Sequence, residues 1–222
     1  LKNDIDMIWI GARTTGNPFA VQEIANALKG VDIPVFVKNP LNEDLNLWIG
    51  AIERFHNSDI KQISANHRGF FAYGSQKYRN IPQWQIPVEL KRIMPSIPLL
   101  CDPSHIAGHR SLVKEVSQTA FDLNFDGLMI ESHINPSEAL SDKEQQLPTN
   151  ELKKLLANQT TTMLHGSKAA TNSEQAAKEA FSGNALGSNL PSIKIKKKNL
   201  DAKINIIDLI VLSKLETSKS EI

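Results

Sequence analysis

The feature that most constrains the fold of this chain is an alternation of short apolar runs with amphipathic stretches before residue 132. Five such runs occur, and stretches with helical periodicity separate them. Continuous apolar runs that alternate with helices are typical of parallel strands buried on both faces of a sheet. We therefore predict an α/β fold with strands near 6–11, 33–38, 60–65, 97–101 and 127–131, and with helices near 19–29, 43–55, 83–94 and 110–122.

A charged or metal-ligating residue stands at or just past the end of each run. These residues are Arg13, Lys38, Arg68, His105 and Glu131. In a closed eightfold barrel the carboxyl ends of the strands form one rim, where the active site is assembled. An open doubly wound sheet would also bring ligands to strand ends, but it usually carries a Gly-rich phosphate loop, which this sequence lacks. We therefore favour a barrel and expect the five side chains to face one mouth.

The residue types at these strand ends indicate an anion site beside a metal site. Arg13, Lys38 and Arg68 are cations suited to phosphate and carboxylate groups. The other candidates are metal donors, namely His105, Glu131 and Asp142. One nitrogen and two oxygens suit a divalent metal such as Mn, Fe, Co or Zn, which can polarise an aldehyde carbonyl. Taken singly, each residue is also typical of a solvated loop or, for Asp142, of a helix cap, so the interpretation depends on the joint pattern.

The composition is that of a water-soluble globular protein. Apolar residues make up 41% of the chain and charged residues 22%, which is typical of a packed domain. No run approaches the roughly 18 apolar residues of a membrane helix, and we predict no membrane partner. The single cysteine, Cys101, excludes an internal disulfide and agrees with the cytoplasmic location that we predict. The chain starts at Leu1 without a signal-peptide pattern, and we expect it to be a fragment.

Several motifs of the first part resemble the 3-deoxy-7-phosphoheptulonate (DAHP) synthases, which share a barrel with the 3-deoxy-octulosonate 8-phosphate synthases. The motifs shared with the family in general are Ile10 to Arg13, Asp102 to His105, Gly108 to Val113, Asp126 to His133, Ala139 to Asp142 and Gln145-Gln146. Those most similar to the subgroup fused to a chorismate mutase are Trp48 to Ala51, Asn66 to Phe70 and Tyr78 to Arg92. The resemblance covers about residues 4–155.

The resemblance implies condensation of phosphoenolpyruvate with erythrose 4-phosphate and release of phosphate, in the shikimate pathway to chorismate and the aromatic amino acids. The residues that would hold phosphoenolpyruvate are Arg13, Lys38 and Arg68. The metal ligands would be His105, Glu131 and Asp142. The catalytic residues would be Lys38 and His133. Full-length members of the family are expected to be homo-oligomers.

Two motifs of the family are missing from this sequence. The family's fourth metal ligand is a cysteine on the first strand, and Cys101 does not match it, because Cys101 lies directly before the Asp102 to His105 motif. The Lys-Pro-Arg-Thr loop, which binds both substrates, is absent as well. The resemblance therefore implies a partial (β/α)8 TIM barrel with strands four to eight. We expect the chain alone to be inactive as a DAHP synthase.

The second part of the chain differs in composition. Twelve of the thirteen aromatic residues lie before residue 126, and no arginine follows Arg110. We predict two domains, 1–156 as the barrel portion and 157–222 as a mainly helical segment, with residues 160–182 mostly helical. The stretches that resemble the C-terminal region of bacterial tyrosyl-tRNA synthetases are Thr160 to Gly166, Leu190 to Ile195 and Ile204 to Glu221. In that region a linker leads into a small RNA-binding domain.

Two alternatives to a DAHP synthase stay open. One is a tRNA-binding segment, in which a lysine run from Lys194 to Lys198 gives residues 194–222 a weak contact with RNA phosphates; we favour a solvated linker for this run. The other is the sister aldolase reaction on arabinose 5-phosphate. The junction at 153–158 suits both resemblances, so we expect a chimaera that arose by an assembly or amplification error. An uninterrupted genomic frame with barrel strands upstream would exclude that origin.

Overall fold

The computed structural model describes residues 5–74, 77–181, 195 and 205–212. The chain divides into two compact units, Leu1–Lys153 and Lys154–Ile222. This division lies close to the predicted boundary between residues 156 and 157. Both positions fall inside one helix, Thr149–His165.

The described strands are β1 (Ile8–Ile10), β2 (Val35–Lys38), β3 (Ile63–His67), β4 (Phe70–Phe71), β5 (Asn80–Ile81), β6 (Leu99–Cys101), β7 (Gly127–Leu128), β8 (Ser132–His133) and β9 (Leu147–Pro148). Five of them run parallel and form the main sheet of the first unit, in the order β1-β2-β3-β6-β7. Each strand of the main sheet overlaps one predicted strand, so the α/β class and the parallel sheet are confirmed. The largest differences are in β3, which begins three and ends two residues later than predicted, and in β7, which ends three residues earlier than predicted.

Helices lie between the strands of the main sheet, and further helices follow the last strand. They are α1 (Ala12–Thr15), α2 (Pro18–Ala27), α3 (Leu45–His56), α4 (Gln85–Ile93), α5 (Pro103–Ala107), α6 (Arg110–Asp122), a 3-10 turn (Pro136–Glu138), α7 (Thr149–His165), α8 (Ser167–Phe181) and α9 (Ile206–Leu212). Side-chain caps fix where the helices begin: Asn17 accepts from the backbone N–H groups of Phe19 and Ala20, and Asp44 accepts from that of Leu47. The four predicted helices are therefore confirmed with small shifts at their ends.

One face of the main sheet packs against the helices. Side chains alternate between the two faces along a strand, and the register aligns Ile10 with Val37 and Val37 with Ala65. All three are buried and join Trp48 and Phe55 of α3 in the hydrophobic core. This core fixes the strands from one side and so positions their carboxyl ends.

The opposite face is less covered. The register places Trp9 beside Phe36 and Phe36 beside Ser64. Trp9 is 58% exposed, and the other two are partly exposed. The apolar runs indicate strands that are buried on both faces in a closed barrel. Five strands without the rest of a barrel are expected to leave this face partly exposed, and it is, because no layer among the described residues covers it. Further along the same face, at the carboxyl ends of β2 and β3, Lys38 and Asn66 are buried.

Two small sheets arrange the loops beyond these strand ends. Strands β4 and β5 pair antiparallel, with Phe70 opposite Ile81. Strands β8 and β9 pair parallel, with Ser132 beside Leu147, and the backbone N–H of Leu147 donates to the carbonyl of Glu131 at 3.0 Å. These pairings bring the segments around residues 79 and 142–146 to the strand ends.

The second unit is helical where the structure describes it. The prediction of helix over 160–182 is confirmed through residue 181, since α7 and α8 cover these positions except for Gly166 between them; residue 182 lies outside the described residues. Glu174 accepts from Asn158 at 2.8 Å and lies 2.9 Å from Nζ of both Lys154 and Lys178. Of the stretches that resemble the synthetase region, most of 190–195 and of 204–221 also lies outside the described residues. No described helix has the length and apolar character needed to cross a membrane.

Candidate active site

Lys38 is the last residue of β2, and its side chain is buried at the carboxyl end of the sheet. Its Nζ atom lies 2.8 Å from Oδ2 of Asp102, a carboxylate that is 1% exposed. Burial raises the pKa of Asp102, but the hydrogen bond and charge of His105, followed by the effect of Lys38, outweigh burial and hold the pKa below its usual value. Lys38 and Asp102 are therefore a buried ion pair.

Arg68 follows β3 and is held by two asparagines. Its backbone N–H donates to Oδ1 of Asn39 at 2.7 Å, and its Nη1 donates to Oδ1 of Asn80 at 2.6 Å. Burial is the main cause that lowers the pKa of Arg68, although a guanidinium stays charged in proteins. No carboxylate among the described residues lies within ion-pair distance of this guanidinium, so its charge is available to a bound anion.

The turn at Gly69 sets the position of Arg68. Gly69 has φ +75°, a left-handed conformation that favours glycine. A Cβ atom at this position would lie 2.9 Å from Cβ of Asn80 and 3.0 Å from its carbonyl oxygen. Nδ2 of Asn39 also donates to the carbonyl of Gly69 at 2.8 Å. The segment therefore passes close to β5, and this close approach brings Arg68 to Asn80.

Arg13 lies in α1, directly after β1, and is exposed. Its charge is one of the smaller causes that lower the pKa of Arg68. Within the described ranges no hydrogen bond or ion pair fixes the Arg13 side chain. The structure thus brings all three predicted cations to the carboxyl ends of β1, β2 and β3, with two buried and one at the surface.

The three predicted metal donors form one group. His105, Glu131 and Asp142 each offer a ligand atom, and these atoms lie within 4.8 Å of one another. Nε2 of His105 lies 3.6 Å from Oε1 of Glu131, and its Nδ1 lies 2.8 Å from Oδ2 of Asp102. One imidazole nitrogen and two carboxylate oxygens at this spacing fit a divalent transition metal. Asp102 thus joins the donor group to Lys38.

Helix α5 explains why His105 points to this place. Pro103 occupies its first turn, and Oδ1 of Asp102 caps it by accepting from the backbone N–H of His105 at 3.1 Å. The hydroxyl of Ser104 accepts from the backbone N–H of Glu131 at 2.9 Å. The Asp-Pro-Ser-His motif therefore connects the end of β6 to the segment that follows β7.

Arg79 and Gln145 belong to the same group and were not assigned a role from the sequence. Nη1 of Arg79 donates to Oδ1 of Asp142 at 2.5 Å and to Oε1 of Gln145 at 2.7 Å. Nε2 of Gln145 donates to Oε2 of Glu131 at 2.8 Å. Both residues lie in motifs that carry the family resemblance, which was the only signal in the sequence that pointed to them.

His133 is placed differently from the other candidates. It lies in β8, and its Nδ1 contacts the backbone of Asn135 in its own turn. Among the described residues no hydrogen bond or ion pair joins its side chain to the His105, Glu131 and Asp142 group, and its catalytic role stays a prediction. Cys101 is fully buried, and burial raises the pKa of its thiol, so it is a core residue.

The fold and the site together define an α/β protein with a parallel sheet, whose strand ends carry three cations beside a candidate metal site. The sequence of residues 2–165 matches the DAHP synthetase I family, and the chain belongs to this family. A phospho-2-dehydro-3-deoxyheptonate aldolase of Thermotoga maritima is 28% identical over 151 residues, which are 68% of this chain and 43% of the relative. A truncated 3-deoxy-D-arabino-heptulosonate 7-phosphate synthase of Thermotoga maritima superposes with a TM-score of 0.59 at 27% identity, over 72% of this chain and 60% of that one.

The chain also resembles a second kind of protein. A tyrosine–tRNA ligase of Pelagibacter ubique is 52% identical over 95 residues, which are 43% of this chain and 23% of that ligase. The predicted double resemblance is therefore confirmed. The chain spans less than half the length of either curated relative, and the lengths of the two matches together exceed the chain, so the matches overlap.

Proposed function

We propose that this chain carries the phosphoenolpyruvate and metal site of a DAHP synthase, which condenses phosphoenolpyruvate with erythrose 4-phosphate and releases phosphate. The observation that supports this most is that Asp102 contacts both Lys38 and His105. It thereby joins a buried cation to the metal donors. An anion and a metal ion bound there would be neighbours. The five parallel strands are then proposed to be strands four to eight of a TIM barrel.

The residues of the site divide the work of binding and orientation. Lys38 and Arg68 are buried cations that would hold the phosphate and carboxylate of phosphoenolpyruvate, and Arg13 would close the site from the surface. His105, Glu131 and Asp142 would hold Mn, Fe, Co or Zn. Such an ion would polarise the aldehyde carbonyl for attack by the enol carbon of phosphoenolpyruvate.

Asp102 would keep the two halves of the site in register. Its Oδ2 atom lies 2.8 Å from both Nζ of Lys38 and Nδ1 of His105. An imidazole whose Nδ1 is bound by a carboxylate presents Nε2 to the ion. The same carboxylate therefore resists a movement of Lys38 and a movement of His105.

Binding measurements test the proposal on the 222-residue chain. We expect Mn²⁺ binding that falls by at least about tenfold in His105→Ala, since even indirect partners of a metal ligand are worth that much. We expect phosphoenolpyruvate binding that is lost in Lys38→Met. The matched controls are His56→Ala and Lys61→Met, which are exposed and lie at the opposite end of the strands. Equal effects of site and control variants would contradict the proposal, and tighter binding of arabinose 5-phosphate than of erythrose 4-phosphate would favour the sister reaction.

Turnover by the chain alone is not expected. Strands β1 and β7 are the edges of the described sheet, and Trp9 is exposed on the face opposite the helices. Closure of a barrel needs its first and last strands to pair. We therefore propose that this chain binds its ligands without catalysing the condensation.

For the second unit we propose an RNA contact as a separate candidate, because the similarity to the tyrosine–tRNA ligase reaches 52% identity. Binding of tRNA by the whole chain that weakens steeply with salt would support it. Replacing Lys196, Lys197 and Lys198 by Gln should then flatten the salt dependence. An unchanged salt dependence would leave these lysines as a solvated linker.

A further inference from the structure

We propose that Arg79, together with Gln145, is a positioning residue that fixes the three donors of the metal site before a cation binds. This inference rests on the metal site of the proposed function. Arg79 contacts Asp142 directly and reaches Glu131 through Gln145. It thus connects two donors that lie on separate parts of the loop after β7.

The hydrogen bonds occupy one oxygen of each carboxylate and leave the other to a ligand. Oδ1 of Asp142 accepts from Arg79 at 2.5 Å, and Oε2 of Glu131 accepts from Gln145 at 2.8 Å. Oε1 of Glu131 is the oxygen that faces Nε2 of His105 at 3.6 Å. The carboxylate of Glu131 is therefore turned so that its remaining oxygen is directed towards the imidazole.

The backbone of Arg79 is also tied to the helix that carries His105. Its N–H donates to the carbonyl of Ala107 at 3.4 Å. Gly108, with φ +69°, ends α5, and a Cβ atom there would lie 2.3 Å from Cβ of Arg79. Arg79 thus contacts the segments that supply His105 and Asp142 directly, and the segment that supplies Glu131 through Gln145.

Charge gives the arrangement its physical reason. Two carboxylates at this separation repel each other when no cation lies between them. The guanidinium of Arg79 donates to Oδ1 of Asp142 and so places a positive charge beside this carboxylate. Asp142 also has φ +51°, a conformation that non-glycine residues rarely adopt. The contact with Arg79 offsets both costs.

Gln145 is fixed within this arrangement, since it is only 1% exposed and both of its polar side-chain atoms form hydrogen bonds. A buried amide satisfied in this way resists rotation, because each rotated state leaves a donor or an acceptor unpaired. Glu131 is therefore held by a group that is itself fixed.

The test compares Arg79→Met with Arg110→Met in the 222-residue chain. Arg110 bonds the same loop, through its N–H to Glu144 and its Nη2 to the carbonyl of Lys143, but contacts no donor. In the metal-free chain we expect faster amide hydrogen exchange over residues 139–147 in Arg79→Met than in Arg110→Met. For Mn²⁺, followed by electron paramagnetic resonance, we expect an affinity about 10–100-fold lower in Arg79→Met and unchanged in Arg110→Met.

Two further variants keep the test informative if Arg79→Met folds poorly. Arg79→Lys keeps the charge but not the simultaneous contact with Asp142 and Gln145. It should therefore recover part of the affinity that Arg79→Met loses. Gln145→Leu should loosen Glu131 alone and cost less than Arg79→Met. Wild-type exchange and affinity in Arg79→Met would overturn the inference. If the wild-type chain binds no Mn²⁺ while Arg79→Met still loosens residues 139–147, the proposed metal site fails and the positioning by Arg79 stands.

Discussion

The two units of the molecule each contain a carboxylate paired with lysine, and the pairs differ in burial. The side chains of Lys38 and Asp102 are 10% and 2% exposed, whereas those of Lys154, Lys178 and Glu174 are 54%, 58% and 27% exposed. An exposed pair is screened by water and contributes little to stability. A buried pair is costly to break, because the partner left behind is a charge without compensation. We therefore expect the loss of one partner to destabilise the fold at the strand-end pair and to have little effect at the helical pair.

The largest expected effect follows from breaking the buried pair. Asp102→Asn keeps the shape of the side chain but leaves Lys38 as an uncompensated buried cation, so we expect the first unit to lose about 3–5 kcal/mol of unfolding free energy. Urea unfolding followed by tryptophan fluorescence measures this, since all three tryptophans lie in the first unit. A loss no greater than that of an exposed ion pair would show that burial does not distinguish the two pairs.

His67 makes the first unit sensitive to acid. Its ring is fully buried among the rings of Trp48, Phe70, Trp84 and Phe125, and burial lowers its pKa from 6.5 to about 3. The unfolded chain therefore binds a proton that the folded chain does not, and stability falls as the pH drops from about 6.5 towards 3, by up to about 1.4 kcal/mol per pH unit. His67→Leu should flatten this dependence and the exposed His56→Gln should not; equal slopes in both variants would contradict the assignment.

A smaller effect is expected at the turn that carries Arg68. Gly69 and Gly30 both have positive φ. A Cβ atom at Gly69 would lie 2.9 Å from Cβ of Asn80, whereas a Cβ atom at Gly30 would have no neighbouring atom within 4 Å. Gly69→Ala should therefore cost about 1–3 kcal/mol more than Gly30→Ala. Urea unfolding of the two variants gives this difference, and a value near zero would mean that the turn is not closely packed.

The smallest effect is expected at Glu174. Hydrogen bonds from Lys178 and then Lys154 lower its pKa to about 2, yet both lysine side chains are more than half exposed to water. Glu174→Gln should leave the thermal unfolding of the helices unchanged, as followed by far-ultraviolet circular dichroism. A clear drop in Tm would show that this exposed pair is coupled to the packing of α7 and α8.

Most of the sheet is predictable because its strands alternate with amphipathic helices at regular spacing, and this pattern is local. The error at β3 has a local cause too. Ile60 satisfies the apolar pattern, but it packs in the turn after α3, where its N–H donates to the carbonyl of Phe55 at 3.2 Å. The strand instead continues through Asn66 and His67. Both residues are polar, so the apolar pattern does not predict that they belong to a strand.

The candidate site was predictable only in part. The spacing predicts which residues lie at strand ends, and all six predicted anion and metal residues lie at the carboxyl ends of the strands or in the segments that follow them. Arg79 and Gln145 act through side-chain contacts between positions 66 residues apart in the chain. The hydrophobic periodicity of the sequence does not indicate such a pair of contacting residues. Burial of Lys38 and exposure of Arg13 likewise depend on neighbours from other segments.

The central claim is that one site holds phosphoenolpyruvate and a metal ion as neighbours. Phosphorus NMR of phosphoenolpyruvate with the 222-residue chain and Mn²⁺ tests it most directly, because a paramagnetic ion broadens the resonance of a nearby phosphorus. We predict broadening by the wild-type chain beyond that seen with His105→Ala and with Lys38→Met at the same Mn²⁺ concentration. We also predict no growth of the inorganic phosphate signal after erythrose 4-phosphate is added. Broadening no greater than in the two variants would contradict the claim.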